Sequence, residues 1–316
     1  MSLPITFEPI AMERVWGGRR LESVLGKTLP HGTPIGELWE VVDRHEAQSV
    51  VHSGSFAGKT LNDLWTAHRE EIFGSAYAAD PSPRFPLLVK LLDARERLSV
   101  QVHPPAPLAK TLDGEPKTEV WYFLDALPGA RIYAGLKPGV TRARFEDLLH
   151  SGGVESAIHQ ISVHTGESIF IPSGRLHAIG EGNLIIEIQQ NSDTTYRVFD
   201  WNRQGLDGRP RALHIAQSLA SIDFGDFEPE VLPANDPHIA DCPLFRVEKI
   251  FLEASRDVRP PDRFALVAVA RGSVSCQGED FHRGQFFLVP ASGRSLFVVP
   301  SGGGAEILVT TLPSGS

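Results

Sequence analysis

Four side chains able to hold a single metal ion lie between positions 101 and 177 of this 316-residue chain. Gln101 and His103 are two residues apart in LSVQVHPP. A β-strand turns alternate side chains to one face, so an amide oxygen and an imidazole there can address one centre. Sixteen residues beyond His103, Glu119 heads the apolar run EVWYFL. His177 sits in GESIFIPSGRLHAIGEGN, where Gly166, Pro172, Gly174 and His177 punctuate the stretch. Ser168 to Ile171 is a short run of strand formers, Pro172 ends it, and Gly174 gives the permissive backbone of a tight turn. His177 then opens the next strand facing inward. A lone strand histidine is more often a satisfied core residue than a ligand. Two imidazoles, a carboxylate and an amide oxygen together change that balance, and this set suits zinc while tolerating iron, manganese or cobalt.

Cationic and polar groups accompany these four. Lys117 lies two residues before Glu119 and shares its strand face, although a solvated lysine is the commoner fate of the type. Arg197, set among Tyr196, Val198, Phe199 and Trp201, either faces a ligand or forms a structural pair with Asp200 or Asp193. Ser99 shares a strand face with Gln101. Glu187, among Ile185, Ile186 and Ile188, is costly to bury unpaired, which makes it a candidate for proton transfer or a partner for an arginine. There is no glycine-rich phosphate loop of the nucleotide-binding kind, which argues against kinase or ATPase chemistry.

These residues must be positioned by strands. Pro86 to Leu92, Leu98 to His103, Glu119 to Leu124, Ile169 to Ile171, Leu184 to Gln190 and several segments after Phe245 read as short strands between turns. The 29 glycines and 24 prolines fit that turn density. Helical spacing is local. Thr60 to Phe73 reads as one amphipathic helix capped by Thr60 and Asp63 and stopped at Gly74. Thr141 caps a second, which ends at Gly152 and Gly153, and Leu213 to Ile222 reads as a third. The spacing of Gly166 and Pro172 recurs in GQFFLVPASG, Gly284 to Gly293, but no histidine follows. Leu296, Phe297 and Val298 occupy the place of a ligand strand. The acidic, proline-rich stretch Gly225 to Pro237 marks the boundary between a domain over 1–225, with a helical insertion over about 104–160, and a degenerate second domain over 236–316.

Composition narrows the partners. Thirty basic against 39 acidic residues give a net charge of −9, which disfavours a nucleic-acid backbone but permits a local basic pocket for an anionic metabolite. Cys242 and Cys276 are too few for a disulfide scaffold and have no metal-like spacing. The start of the chain lacks an export signal, and the longest apolar run, Phe264 to Ala270, is too short to span a bilayer. A cytoplasmic protein without a membrane partner is expected.

PLLVKLLDARERLSVQVHPP, KTEVWYFLDA, PSGRLHAIG and EIQQNSDTTYRVFDWNR, in this order and spacing, resemble the short bacterial form of type I mannose-6-phosphate isomerase. The likeness runs through IGELWEVV, AGLKPGVTRARFEDLL and RALHIAQSL, and covers residues 7 to 225 well. It implies a mainly β, bicupin fold of two jelly-roll β-barrels, in which Gly166 to His177 is the second cupin motif. It further implies one zinc ion on Gln101, His103, Glu119 and His177, an active-site arginine at Arg197 and a phosphate contact at Ser99. The implied substrate is a phosphorylated sugar, isomerised between aldose 6-phosphate and ketose 6-phosphate; moving the carbonyl from C1 to C2 points to an enediol, with a hydride shift as the alternative. Lys117 then either binds phosphate or shuttles a proton. Two other classes remain compatible with a metal cupin: an oxygenase, and a sugar-binding protein without turnover.

Overall fold

The structure is a computed structural model that describes residues 4–292 and 296–313. The fold is mainly β, with a few short helices. The chain forms two compact units, neither continuous in sequence: Ala11–Leu38 with Lys90–Asn235, and Met1–Ile10 with Trp39–Val89 and Asp236–Ser316.

The unit containing Lys90–Asn235 is built on two sheets. One has six strands, in the order Ile10–Gly18, Ile35–Val41, Leu87–Ala94, Asn183–Gln190, Glu119–Ala126 and Ser168–Ile171. The other has five, in the order Tyr196–Phe199, Val100–Val102, His177–Ile179, Arg131–Leu136 and Ile158–Ser162. A buried cluster that includes Trp121, Phe123, Ile132, Ile169 and Ile185 joins the sheets. The helix Arg142–Ser151 buries Phe145 and Leu148 in a second cluster with Val100, Val102 and Tyr133. Its ends follow the sequence signals: Thr141 accepts from the Arg144 N–H, and Gly152 closes the helix at φ 75°.

In the other unit, Thr60 and Asp63 form the expected capping box. The single helix expected from Thr60 to Phe73 is instead two, Leu61–Ala67 and Arg69–Phe73, broken at His68. At the break the His68 backbone leaves the helical region, with φ −127° and ψ 25°. Beside it the Arg69 Nε donates to the Trp65 carbonyl at 2.7 Å, one of the carbonyls at the end of the first helix. Trp65, Phe73, Phe85 and Phe264 then meet as an aromatic cluster, with Phe73 and Phe264 ring centres 5.2 Å apart. The third helix is Ile215–Ser221, shorter than its pattern at the start, where Leu213 is exposed.

The recurrence of the Gly166 spacing at Gly284 is matched by backbone geometry. Gly166 N–H donates to the Phe123 carbonyl at 2.9 Å and Phe123 N–H to that of Glu167 at 2.9 Å. Gly284 and Gln285 repeat both bonds with Val269, at 2.8 and 3.0 Å. Both glycines have positive φ, 91° and 81°, which their tight turns require. The registers agree as well: Ile171 lies opposite Glu119, and Val289 opposite Ala265. Ala265 therefore stands where the first copy has a carboxylate, and Leu296 and Val298 are buried in an apolar cluster. Gly293, at the end of the repeat, lies outside the described residues.

Close approach of the first two strands sets the edge of the candidate site. A Cβ added at Gly17 would fall on the backbone of Gly36, which has no flexible side chain to yield. Gly17→Ala is expected to lower stability by about 2 kcal/mol or more, read by denaturant unfolding. A change below about 0.5 kcal/mol would show that the strands part freely.

Candidate metal centre and cavity

His103, Glu119 and His177 come together as a fully buried group whose ligand atoms lie within 4.8 Å of one another. Pairing explains the convergence: His177 and Arg197 both lie opposite Gln101 in the five-stranded sheet. His103 Nε2 is 3.6 Å from Glu119 Oε2, and His177 Nε2 is 3.6 Å from Glu119 Oε1. These separations are too long for hydrogen bonds. They match two atoms bound to one ion, since tetrahedral bonds of about 2.1 Å place ligand atoms roughly 3.4 Å apart. His103 Nε2 and Glu119 Oε1 are buried without a hydrogen-bond partner, as ligand atoms awaiting a cation would be.

The tautomers are prepared for the same task. His103 Nδ1 lies 2.8 Å from the Thr194 carbonyl and His177 Nδ1 lies 2.9 Å from that of Arg175. Each Nδ1 must donate to its carbonyl, which leaves Nε2 as a lone pair facing the centre. Burial, then the charge of His103, pushes His177 down to about 3, and burial with Lys117 lowers His103 as well. Neutral imidazole, the ligating form, is thus favoured. Burial opposes the charge on Glu119, but Lys117 and His103 outweigh it and hold the carboxyl well below its ordinary range. Gln101 Nε2 sits 3.2 Å from His177 Nε2, and Ser99 Oγ donates to Gln101 Oε1 at 3.3 Å. Rotating the amide by half a turn, which leaves its shape unchanged, brings its oxygen to the centre.

A cavity of about 340 Å³ adjoins this cluster, lined among others by Ser99, Gln101, Lys117, Glu187, Arg197 and Arg211. Along the six-stranded sheet the inward side chains alternate in charge. Arg14 pairs with Glu37 at 3.0 Å; Lys90 lies 3.8 Å from Glu37 and 3.4 Å from Glu187. Lys117 lies 3.7 Å from Glu187 and 2.7 Å from Glu119. Burial alone would lower the Lys117 pKa, but Glu119 and Glu187 outweigh it and raise it. Burial and the charge of Glu119 raise that of Glu187, whose other oxygen accepts from Trp121 Nε1 at 3.0 Å. Its partners are thus two lysines and a tryptophan, and no arginine among the bonds found.

Arg197 does not form either structural pair considered from the sequence. Asp200 instead binds Arg203 and Arg211, at 2.7 and 2.6 Å, and Asp193 lies 3.9 Å from Lys90. Arg197 donates Nη1 to the Ala212 carbonyl at 3.1 Å, while its buried Nε has no partner. Burial and the nearby charge of Arg211 lower its pKa. The sequence reading missed Arg14, Glu37, Lys90 and Arg211 as site residues. Lys90 carried a signal: it interrupts LLVKLL, a continuous apolar run of the kind a strand buried on both faces shows.

Comparison with known proteins places this geometry in a family. Residues 6–122 match the model of the type I phosphomannose isomerase catalytic domain. The chain is 36% identical over 301 residues to the mannose-6-phosphate isomerase ManA of Bacillus subtilis strain 168, covering 91% of this chain and 93% of that protein. It is 34% identical over 312 residues to the mannose-6-phosphate isomerase of Streptococcus mutans, covering 93% and 95%. Its fold matches a crystal structure of the B. subtilis mannose 6-phosphate isomerase with a TM-score of 0.84 at 29% identity, over 98% of this chain and 99% of that one. The fold and the buried ligand cluster define an isomerase with a site suited to a metal. The chain belongs to the type I mannose-6-phosphate isomerase family. No helix among the described residues is long and apolar enough to cross a membrane.

One divalent ion per chain is expected in protein purified without a metal-affinity tag. Elemental analysis should show it lost from His177→Ala and reduced in Glu119→Gln. Full metal content in both variants would remove these side chains as ligands. Melting temperature should fall with the metal, because an ion joining strands of two sheets contributes to stability.

Proposed function

We propose that this protein is a zinc-dependent isomerase that interconverts mannose 6-phosphate and fructose 6-phosphate through an enediol. The observation that carries the reading is the union, in one cavity, of an ion-spaced ligand set with an excess of positive charge. Five cationic side chains line the cavity against three carboxylates, leaving two positive charges in a chain of net charge −9. That imbalance suits a phosphate ester. Family membership supports the choice of sugar.

Zinc on Gln101, His103, Glu119 and His177 would act as a Lewis acid toward the oxygens at the reacting carbons. The rest falls to the chain's own groups. Glu187, in the cavity beside Lys90 and Lys117, is the base that moves a proton between C1 and C2; burial away from water raises its basicity. Lys117 has its ammonium 2.7 Å from Glu119, which supports a role at the reacting end over one at a distant phosphate. Arg197 presents its fork to the negative charge that develops on the substrate oxygen as the proton leaves. Ser99 lines the same cavity, and its hydroxyl, which donates to Gln101 Oε1 at 3.3 Å, is a further substrate contact beside the ligand set.

A coupled assay with mannose 6-phosphate tests the activity, and absence of turnover by the metal-loaded protein would end this reading. Arg197→Lys keeps the charge but loses the planar fork, so turnover should fall by roughly one to three orders of magnitude with metal content and melting temperature nearly unchanged. A large drop in melting temperature with proportionate loss of folded protein would instead assign Arg197 a structural role.

In deuterated water, label should enter C2 of the aldose or C1 of the ketose, because a base that holds the migrating proton exchanges it with solvent. Persistent absence of label through many forward and reverse cycles would favour a hydride shift and overturn the enediol.

A further inference from the structure

We propose that Arg211 binds the phosphate of the sugar and that Asp200 is the positioning residue that aims it. This deepens the isomerase reading and rests on it for the identity of the substrate. Asp200 is only 5% exposed. It accepts from Arg211 Nε at 2.7 Å and from Nη2 at 2.6 Å, a two-pronged clasp that fixes the guanidinium plane. Nη1 is left for a ligand, and Arg211 lines the cavity that Arg197 also lines.

The same carboxylate also holds Arg203, through Nη2 at 2.7 Å, while Arg203 Nη1 donates to the Arg97 carbonyl at 2.7 Å. Three arginines are thus gathered about one carboxylate, and Arg197 is left without an ion pair among the described residues. Like charges crowded at low solvent exposure repel one another, and a doubly charged anion relieves that repulsion. Asp193, which also lines the cavity, lies 3.9 Å from Lys90 and is partly solvated.

Position along the strands agrees. His103 and Gln101 face the metal centre, and Ser99 continues the same face. On the neighbouring strand Arg197 lies opposite Gln101 and Phe199 opposite Val100. Asp200, next along the chain, therefore carries Arg211 toward the Ser99 end and away from His103. A sugar with C1 and C2 at the metal centre extends its C6 phosphate in that direction.

The test uses the metal-loaded enzyme with inorganic phosphate as the probe, followed by calorimetry and by competition with mannose 6-phosphate. Arg211→Gln should weaken phosphate binding by about tenfold or more, as expected for losing a charge-assisted donor. KM for mannose 6-phosphate should rise by a similar factor, with kcat and metal content changing far less. Arg211→Lys should recover part of the loss, because a point charge remains without the fork. Asp200→Asn should weaken phosphate binding although Arg211 is intact. If it does not fold, the Gln and Lys variants at 211 still decide the phosphate claim. Phosphate affinity and KM within about twofold of the parent protein in Arg211→Gln would overturn the proposal. Failure of the parent to turn over mannose 6-phosphate would overturn the isomerase reading instead, while the phosphate titration would still judge Arg211.

Discussion

The site depends on a row of buried charges that none of its members could form alone. Arg14, Glu37, Lys90, Glu187, Lys117 and Glu119 alternate in sign across five neighbouring strands or their ends, each within 4 Å of the next. Burying a single charge costs several kcal/mol, and deleting one partner of a buried pair typically costs about 3–5 kcal/mol. The row persists because each charge is flanked by its opposite. It ends on Glu119, which two imidazoles also face, in a grouping that could hold a metal ion.

That arrangement divides the cavity by chemistry. At one end, neutral imidazoles and a carboxylate held in its charged form favour a hard or borderline cation. In the middle, Glu187 is pressed toward protonation by burial and by Glu119, while two lysines favour its charged form. A carboxylate balanced in this way can take up and release a proton at modest cost. At the other end, the arginines around Asp200 favour an anion. The second copy of the glycine-to-proline turn shows what happens without these charges. Ala265 occupies the register position of Glu119, Leu296 and Val298 fill the interior, and the same backbone turn closes over an apolar core.

The sequence by itself determined the strand-rich fold and the caps at Thr60 and Thr141, and it singled out His103, Glu119 and His177, which the fold brings together, with Gln101 beside them. Each was written in local spacing: alternate residues on one strand for Gln101 and His103, a proline and two glycines before His177, and Thr60 or Thr141 ahead of an apolar stripe. The repeat at Gly284 was also legible, because a positive φ at a fixed place asks for glycine wherever it falls. The break of the expected long helix at His68 was not legible, since propensity and periodicity are silent on where tertiary packing turns a helix.

Only the tertiary structure decided the partners of the charges. Nothing local tells that Lys90 meets Glu187, or that Asp200 chooses Arg211 and Arg203 over Arg197, because strand order and not chain order sets those distances. Nor does sequence announce that residues 39–89 belong to one compact unit with 236–316. That union rests on Phe73, Phe85 and Phe264, which look like ordinary core residues until their rings meet. Local spacing fixes which face a side chain takes; the order in which strands pair fixes what it faces.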